Sequence, residues 1–189
     1  MEERSTKRKE YDLKMLYEML EEEPDNPRHL YYIAQTYNIL ENFEKALEYF
    51  LKRAEVPSGY PQERVDSYFE AARICNFKIN KPWKICEELY LKSFELDTSR
   101  PDPYYFIAIN YKLQNDEKKS YDYFKKAFEL GYPLQAQHSL KPTLSFYYLP
   151  MYVAELSYKF NDFRTGLEAC DRFFGFVRND DPNFEIMKT

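Results

Sequence analysis

Residues 26–53 read NPRHLYYIAQTYNILENFEKALEYFLKR, and the rest of the chain varies on this pattern. Asn26 is a good N-cap, and Pro27 stands where a first helical turn tolerates a missing N–H. Leu30, Ile33, Ala34 and Tyr37 recur at i, i+3, i+4, i+7, one face of a 3.6-residue period. Glu41 and Asn42 interrupt that pattern, and Phe43, Ala46, Leu47, Phe50 and Leu51 begin a second one. Ala34 and Ala46 lie on facing stripes, where small residues let antiparallel helices approach closely while Tyr37 and Phe50 fill the remaining space. The stretch is therefore a helical hairpin with a short turn. One hairpin cannot bury its own outer face, so it needs neighbours.

The neighbours are visible on either side. Residues 9–23 predict a lone helix with Leu13, Leu16, Tyr17 and Leu20 on one face, ended by Pro24. A second unit, 62–97, carries Tyr68, Ala71, Ala72 and Cys75, then Trp83, Cys86, Leu89, Tyr90 and Phe94. A third, 103–131, repeats the first: Tyr104, Ile107, Ala108 and Tyr111 match Leu30, Ile33, Ala34 and Tyr37, and Ser120, Phe124 and Ala127 match Ala46, Phe50 and Arg53. A fourth, 145–174, follows a connection containing Pro142. It sets Val153, Ala154 and Ser157 against Phe163, Gly166, Leu167, Cys170 and Phe173 across a turn at Asn161 and Asp162. Residues 1–8 and 179–189 are expected to be flexible or cut ends, with Phe184, Ile186 and Met187 resembling the opening of another helix. Ala34, Ala72, Ala108 and Ala154 are 38, 36 and 46 residues apart. The expectation is one all-α domain, 9–178, of eight or nine helices in stacked antiparallel hairpins forming a right-handed α-α superhelix.

Composition excludes several classes. Only 4 glycines occur in 189 residues, against a turn-rich β fold, and the net charge of −5 with no basic face argues against nucleic acid as partner. No long apolar run predicts a membrane span, and the charged N-terminus lacks the apolar segment of a signal peptide. Cys75, Cys86 and Cys170 lie widely spaced on apolar stripes and read as reduced core thiols, which places the chain in a reducing, cytoplasmic compartment. His29 and His138 have no Cys or carboxylate at i+4, no glycine-rich phosphate loop occurs, and no catalytic constellation is evident, so neither metal nor cofactor is expected.

The hairpin pattern resembles the tetratricopeptide repeat (TPR), whose period is about 34 residues, stretched here by loop insertions. The strings EEEPDNPRHLYYIAQTYNILENFEKALEYFLKRAE and YKFNDFRTGLEACDRFF also resemble the helical C-terminal region of family-2 glycosyltransferases of bacteria and large DNA viruses, over residues 9–174. That resemblance implies an accessory domain beside a catalytic domain whose Asp-x-Asp metal motif this sequence lacks, so no catalytic residue carries over. The alternative is a free-standing adaptor.

Helical repeats of this kind bind along the face lined by the first helix of each hairpin. In the first unit that face offers Arg28, Tyr31, Gln35 and Asn38; in the second Phe69, Arg73 and Asn76; in the third Asp102, Tyr105, Ile109 and Lys112. Such a face can simply be solvated, or it can hold an extended peptide, a glycan or a neighbouring domain. Tyr31 and Tyr105 stand where a clamp for acidic peptide tails would want charge, and they suit sugar stacking or a protein partner better. They are expected to be exposed binding residues whose loss leaves folding unchanged. Incubation with nucleotide sugars and Mg²⁺ or Mn²⁺ should give no hydrolysis. Turnover proportional to protein concentration would instead mark residues 1–189 as a small enzyme.

Overall fold

The computed structural model describes residues 2–134 and 141–177, and among these every regular element is helical. His138 and the helix opening expected at 184–187 lie outside the described residues. The chain divides into two compact units, Met1–Asp97 and Thr98–Thr189.

The first unit holds α1 (Glu2–Glu22), α2 (Pro27–Ile39), α3 (Phe43–Glu55), α4 (Pro61–Phe77) and α5 (Trp83–Leu96). Helix α1 begins upstream of the expected residue 9, so the N-terminal stretch expected to be flexible belongs to the helix from Glu2 onward. Its charged residues favour helix, and Lys9–Asp12 and Lys14–Glu18 are spaced as pairs along it. The Tyr17 and Tyr37 hydroxyls meet at 2.8 Å and tie α1 to α2. The second unit holds α6 (Asp102–Leu113), α7 (Glu117–Leu130), a π-helical segment (Leu144–Tyr148) running into α8 (Leu149–Lys159), and α9 (Phe163–Phe174). The π turn has a local cause. Pro150 cannot donate to the carbonyl four residues back, and the Leu149 N–H reaches Leu144 O instead.

Within each unit the helices pair as hairpins, α2 with α3, α4 with α5, α6 with α7 and α8 with α9. The second helix of one hairpin packs on the first of the next, α3 on α4 and α7 on α8. Three hairpins turn alike. Glu41, Asn115 and Asn161 take the left-handed conformation (φ 58°, 61° and 57°), and the following Asn42, Asp116 or Asp162 caps the next helix through its side chain. Asparagine tolerates that conformation through its short polar side chain, so Glu41 is the costly member of the three. Small residues close each hairpin. Ala34, Ala46, Ala108 and Ser120 are fully buried, and the Ser120 hydroxyl donates to Ala108 O at 3.0 Å. At Gly166 any Cβ would run into the Ser157 hydroxyl.

Cys75 and Cys86 are core residues as expected, but Cys170 is only half-buried. Phe163 and Leu167, read from the sequence as part of the fourth hairpin's apolar set, are 55% and 69% exposed. They lie on the side of α9 that no described helix covers. Arg53, matched in sequence to the apolar Ala127, is fully buried. It donates to Val56 O at 2.9 Å and Tyr60 O at 2.8 Å, and faces Glu63 at 3.6 Å. It thereby satisfies the carbonyls of the α3–α4 connection.

Asp162 concentrates the polar contacts of the second unit. It accepts from the Thr165 N–H at 3.4 Å, the Tyr121 hydroxyl at 2.8 Å and Lys125 Nζ at 2.6 Å. The Lys125 and Tyr121 hydrogen bonds hold its carboxyl well below the usual range. A depressed carboxylate contributes stability above its unfolded value, near 4, that is lost as pH falls toward the folded one. Asp162→Ala should therefore cost about 2 kcal/mol at neutral pH. In urea unfolding, the gap between wild type and the Ala variant should shrink at pH 3.

Candidate functional site

The first-helix face of the first unit is built from α2 and α4. Tyr31 is 7% exposed, with its ring edge-on to Phe50 at 6.1 Å and 69°. Burial, followed by the charges of Asp66, Glu70 and Glu63 on α4, pushes its hydroxyl pKa far up. Phe69 is buried in the same way, edge-on to Tyr90 at 5.9 Å. Both rings plug the space between the two helices of their own hairpin, so the sequence-based placement of Tyr31 and Phe69 in a solvent groove is overturned. Arg28 is exposed, reaching the Tyr32 hydroxyl at 3.0 Å and Glu63 at 3.8 Å. Gln35, Asn38 and Asn76 are half-buried. Arg73 is half-buried as well, fastened to Glu70 at 2.9 and 3.1 Å with its guanidinium 6.0 Å over the Phe69 ring.

The second unit shows the same device with different surroundings. Tyr105 is half-buried against Phe124 (5.8 Å, 60°), Phe106 (5.3 Å) and Tyr152 (6.3 Å), and burial raises its hydroxyl pKa. Asp102 is no groove residue. It holds the buried Arg100 through Nε–Oδ1 at 3.1 Å and Nη2–Oδ2 at 2.5 Å, in the first turn of α6. A carboxylate there also complements the positive end of the helix. Ile109 packs partly on the core of this unit. Lys112 reaches Glu155 on α8 at 3.0 Å and lies 4.8 Å over the Tyr152 ring, so it joins α6 to α8.

Sequence reasoning passed over several exposed apolar residues. Ile39, Phe77 and Leu113 each stand five residues after the buried Ala34, Ala72 and Ala108, in the last turn of a first helix, and all are exposed (Leu113 72%). Tyr158 in the last turn of α8 is 76% exposed. The recurrence at alanine-plus-five was legible, but an apolar residue beside an apolar stripe reads as core. In the second unit a cavity of about 410 Å³ is lined by Tyr132, Pro142, Phe146, Asp171, Arg172, Gly175 and Phe176. Phe146 and Phe176 stack at 5.5 Å, while Arg172 donates to Phe128 O at 2.9 Å and lies over the Phe128 ring at 3.7 Å. Burial pushes the Arg172 pKa down. These surfaces offer rings, aliphatic side chains and a few ion pairs. Among the described residues no cluster of three or more His, Cys, Asp or Glu is placed to hold a metal ion, and no helix is long and apolar enough to cross a membrane.

No family model matches the chain, and no curated protein matches it. Solved structures do resemble it. MamA (residues 41 to the end) from Desulfovibrio magneticus RS-1 is 15% identical, with a TM-score of 0.62 over 95% of this chain and 92% of that one. PilF of Pseudomonas aeruginosa is 14% identical, with a TM-score of 0.63 over 93% and 71%. YrrB, a TPR protein with an unusual peptide-binding site, is 12% identical, with a TM-score of 0.60 over 98% and 86%. Identities this low carry the fold and nothing finer. The chain has an all-α, TPR-like fold of stacked hairpins.

Because Tyr31 sits in the core, Tyr31→Ala should destabilise the first unit by about 3 kcal/mol, as loss of a buried aromatic ring does. Tyr105→Ala should lower the stability of the second unit by a smaller amount, its ring being less buried. Thermal unfolding followed by circular dichroism checks both. Unchanged melting would return the two rings to the solvent groove.

Proposed function

We propose that this chain is a non-catalytic interaction domain that takes a protein or peptide partner on the faces of its first helices. The observation that supports this most directly is the α6–α8 face. There Leu113 and Tyr158, 72% and 76% exposed, stand on the two helices that the Lys112–Glu155 pair joins. Exposed large apolar residues grouped around a satisfied ion pair are what a hot spot needs, since burying them costs little polar desolvation. The partner that fits is an extended segment with apolar or aromatic side chains, its backbone running past Lys112 and Glu155. The peptide-binding site of the similarly folded YrrB lends support by analogy of fold. The α2–α4 face is more charged, with Arg28, Glu70 and Arg73, and serves as a second, more polar contact.

A second reading makes the chain the accessory helical domain of a glycosyltransferase, with an adjacent catalytic domain or a glycan as its partner. Its support is the pair of strings quoted from residues 9–174, and aromatic surfaces such as the Tyr132, Phe146 and Phe176 cavity suit sugar rings. A reducing, cytoplasmic setting accords with Cys75 and Cys86. Burial holds both thiols protonated, that of Cys86 with a pKa pushed up to about 11.

A displayed random-peptide library tests the main reading. Peptides selected on the wild-type chain should be rich in apolar and aromatic side chains. They should lose at least roughly tenfold in affinity on Leu113→Asp combined with Tyr158→Ala, which corresponds to about 1.4 kcal/mol. They should be indifferent to Glu44→Lys on α3. Selected peptides that bind the double variant unchanged would overturn it, and binding of neutral oligosaccharides in place of peptides would favour the second reading.

A further inference from the structure

The cavity of about 410 Å³ in the second unit has a cause in the fold. Helix α7 ends at Gly131, whose φ of 73° turns the chain away from the helix axis. The π-helical segment is tied back to that point, the Ser145 hydroxyl donating to Gly131 O at 3.4 Å. A recess is left between the end of α7, that segment and the last turn of α9. Tyr132 and Pro142 border it from the connection, Phe146 from the π-helical segment, and Arg172, Gly175 and Phe176 from the end of α9 and just beyond.

Three rings form a wall of this recess. Phe146 is flanked by Tyr132 at 5.4 Å and by Phe176 at 5.5 Å, the latter within 20° of parallel. One cation stands beside them. The Arg172 guanidinium is fixed by Phe128 O at 2.9 Å and by the Phe128 ring at 3.7 Å, and neither anchor carries a charge. Among the described residues no carboxylate lies within ion-pair distance of it, and Glu168, whose charge acts on it, is held by Arg164 at 3.3 Å. The bond to Phe128 uses Nη1, which leaves Nε and Nη2, the pair that a carboxylate engages side by side. Burial has already removed part of this guanidinium's water, so a carboxylate beside it is attracted more strongly than at an open surface. The other charged lining residue, Asp171, is exposed and forms no ion pair among the described residues.

We propose that this cavity binds a small aromatic carboxylate, its ring against Tyr132, Phe146 and Phe176 and its carboxylate on Arg172. The volume falls in the range of small-molecule sites, roughly 300–1,000 Å³, and the lining has their usual make-up, apolar with a few placed polar groups. A flat ring packs offset or edge-on against such a wall, and the charge fixes which end points inward. A sugar fits less well, because its many hydroxyls would meet a lining whose polar side chains are Tyr132, Asp171 and Arg172. The site lies apart from the Leu113 and Tyr158 face proposed for peptides and does not depend on that reading.

Naphthalene-1-acetate and its neutral amide separate the ring from the charge. In calorimetric titration of the full chain the acid should bind about tenfold tighter than the amide. Arg172→Gln should remove that difference. Phe176→Ala, at a residue 44% exposed, should weaken acid and amide alike by roughly fivefold. Asp171→Asn, a change at an exposed position, should tighten the acid about twofold and leave the amide as it was. Melting followed by circular dichroism shows which variants are folded. If Arg172→Gln melts early, the Phe176 and Asp171 variants decide. Failure of the acid to bind, or equal binding of acid and amide, would overturn the proposal. So would acid binding that Phe176→Ala leaves unmoved, or displacement of the acid by maltotriose, which gives the cavity to a sugar.

Discussion

The close approach of paired helices at small residues is the constraint on which the rest of this structure depends. Ala34 meets α3 near Ala46, Ala108 meets α7 near Ser120, and Gly166 leaves just enough room for Ser157. With the backbones this near, the rings at the hairpin edge come into register. Tyr37 stacks on Tyr49 at 6.0 Å and Tyr111 on Tyr123 at 5.8 Å, the second pair nearly parallel. A larger side chain at any of the small positions would separate the helices and undo those contacts together, since a packed interior has little slack. The left-handed residue and side-chain cap at each turn fix the point where the chain reverses. They thereby decide which small residue faces which.

A second layer of packing follows from stacking. Tyr31, Phe69 and Tyr105 occupy one place in three hairpins, and each meets an aromatic of its own second helix edge-on: Phe50, Tyr90 and Phe124. Over Tyr31 and Tyr105 the next first helix of the same unit closes, with acidic residues of α4 beside Tyr31 and the aromatic Tyr152 beside Tyr105. What remains for a partner is displaced toward the last turn of each first helix, where Leu113 and Tyr158 stand. At that level the first unit exposes Ile39 and Phe77, and the second Leu113 and Tyr158.

Buried charge marks where the stack departs from its own consensus. Arg53 replaces the alanine that the third hairpin uses, and it is tolerated because two carbonyls and Glu63 surround it. Such a pair gives little net stability after desolvation, yet it holds the α3–α4 connection in a single arrangement. The buried Arg100 and Asp102 pair does the same at the start of α6.

Helix positions, turns, caps and the pairing of small residues were determined by local sequence, because each depends on residues within one or two turns of one another. The Asn26 cap, the Pro27 start, the breaks at Glu41–Asn42 and Asn161–Asp162 and the alanine spacing could all be seen without coordinates. Which side of a first helix meets solvent was decided only by tertiary structure. A 3.6-residue period marks an apolar stripe, but it does not show how far burial extends beyond it: Tyr31 and Phe69 meet Phe50 and Tyr90 of their own second helices, and acidic residues of α4 lie beside Tyr31. Leu113 stays outside although it reads as apolar, and Asp102 pairs with an arginine two residues away. The burial of Tyr31 depends on helices α3 and α4 together, through contacts between residues far apart in the chain, and periodicity within one helix carries no record of them.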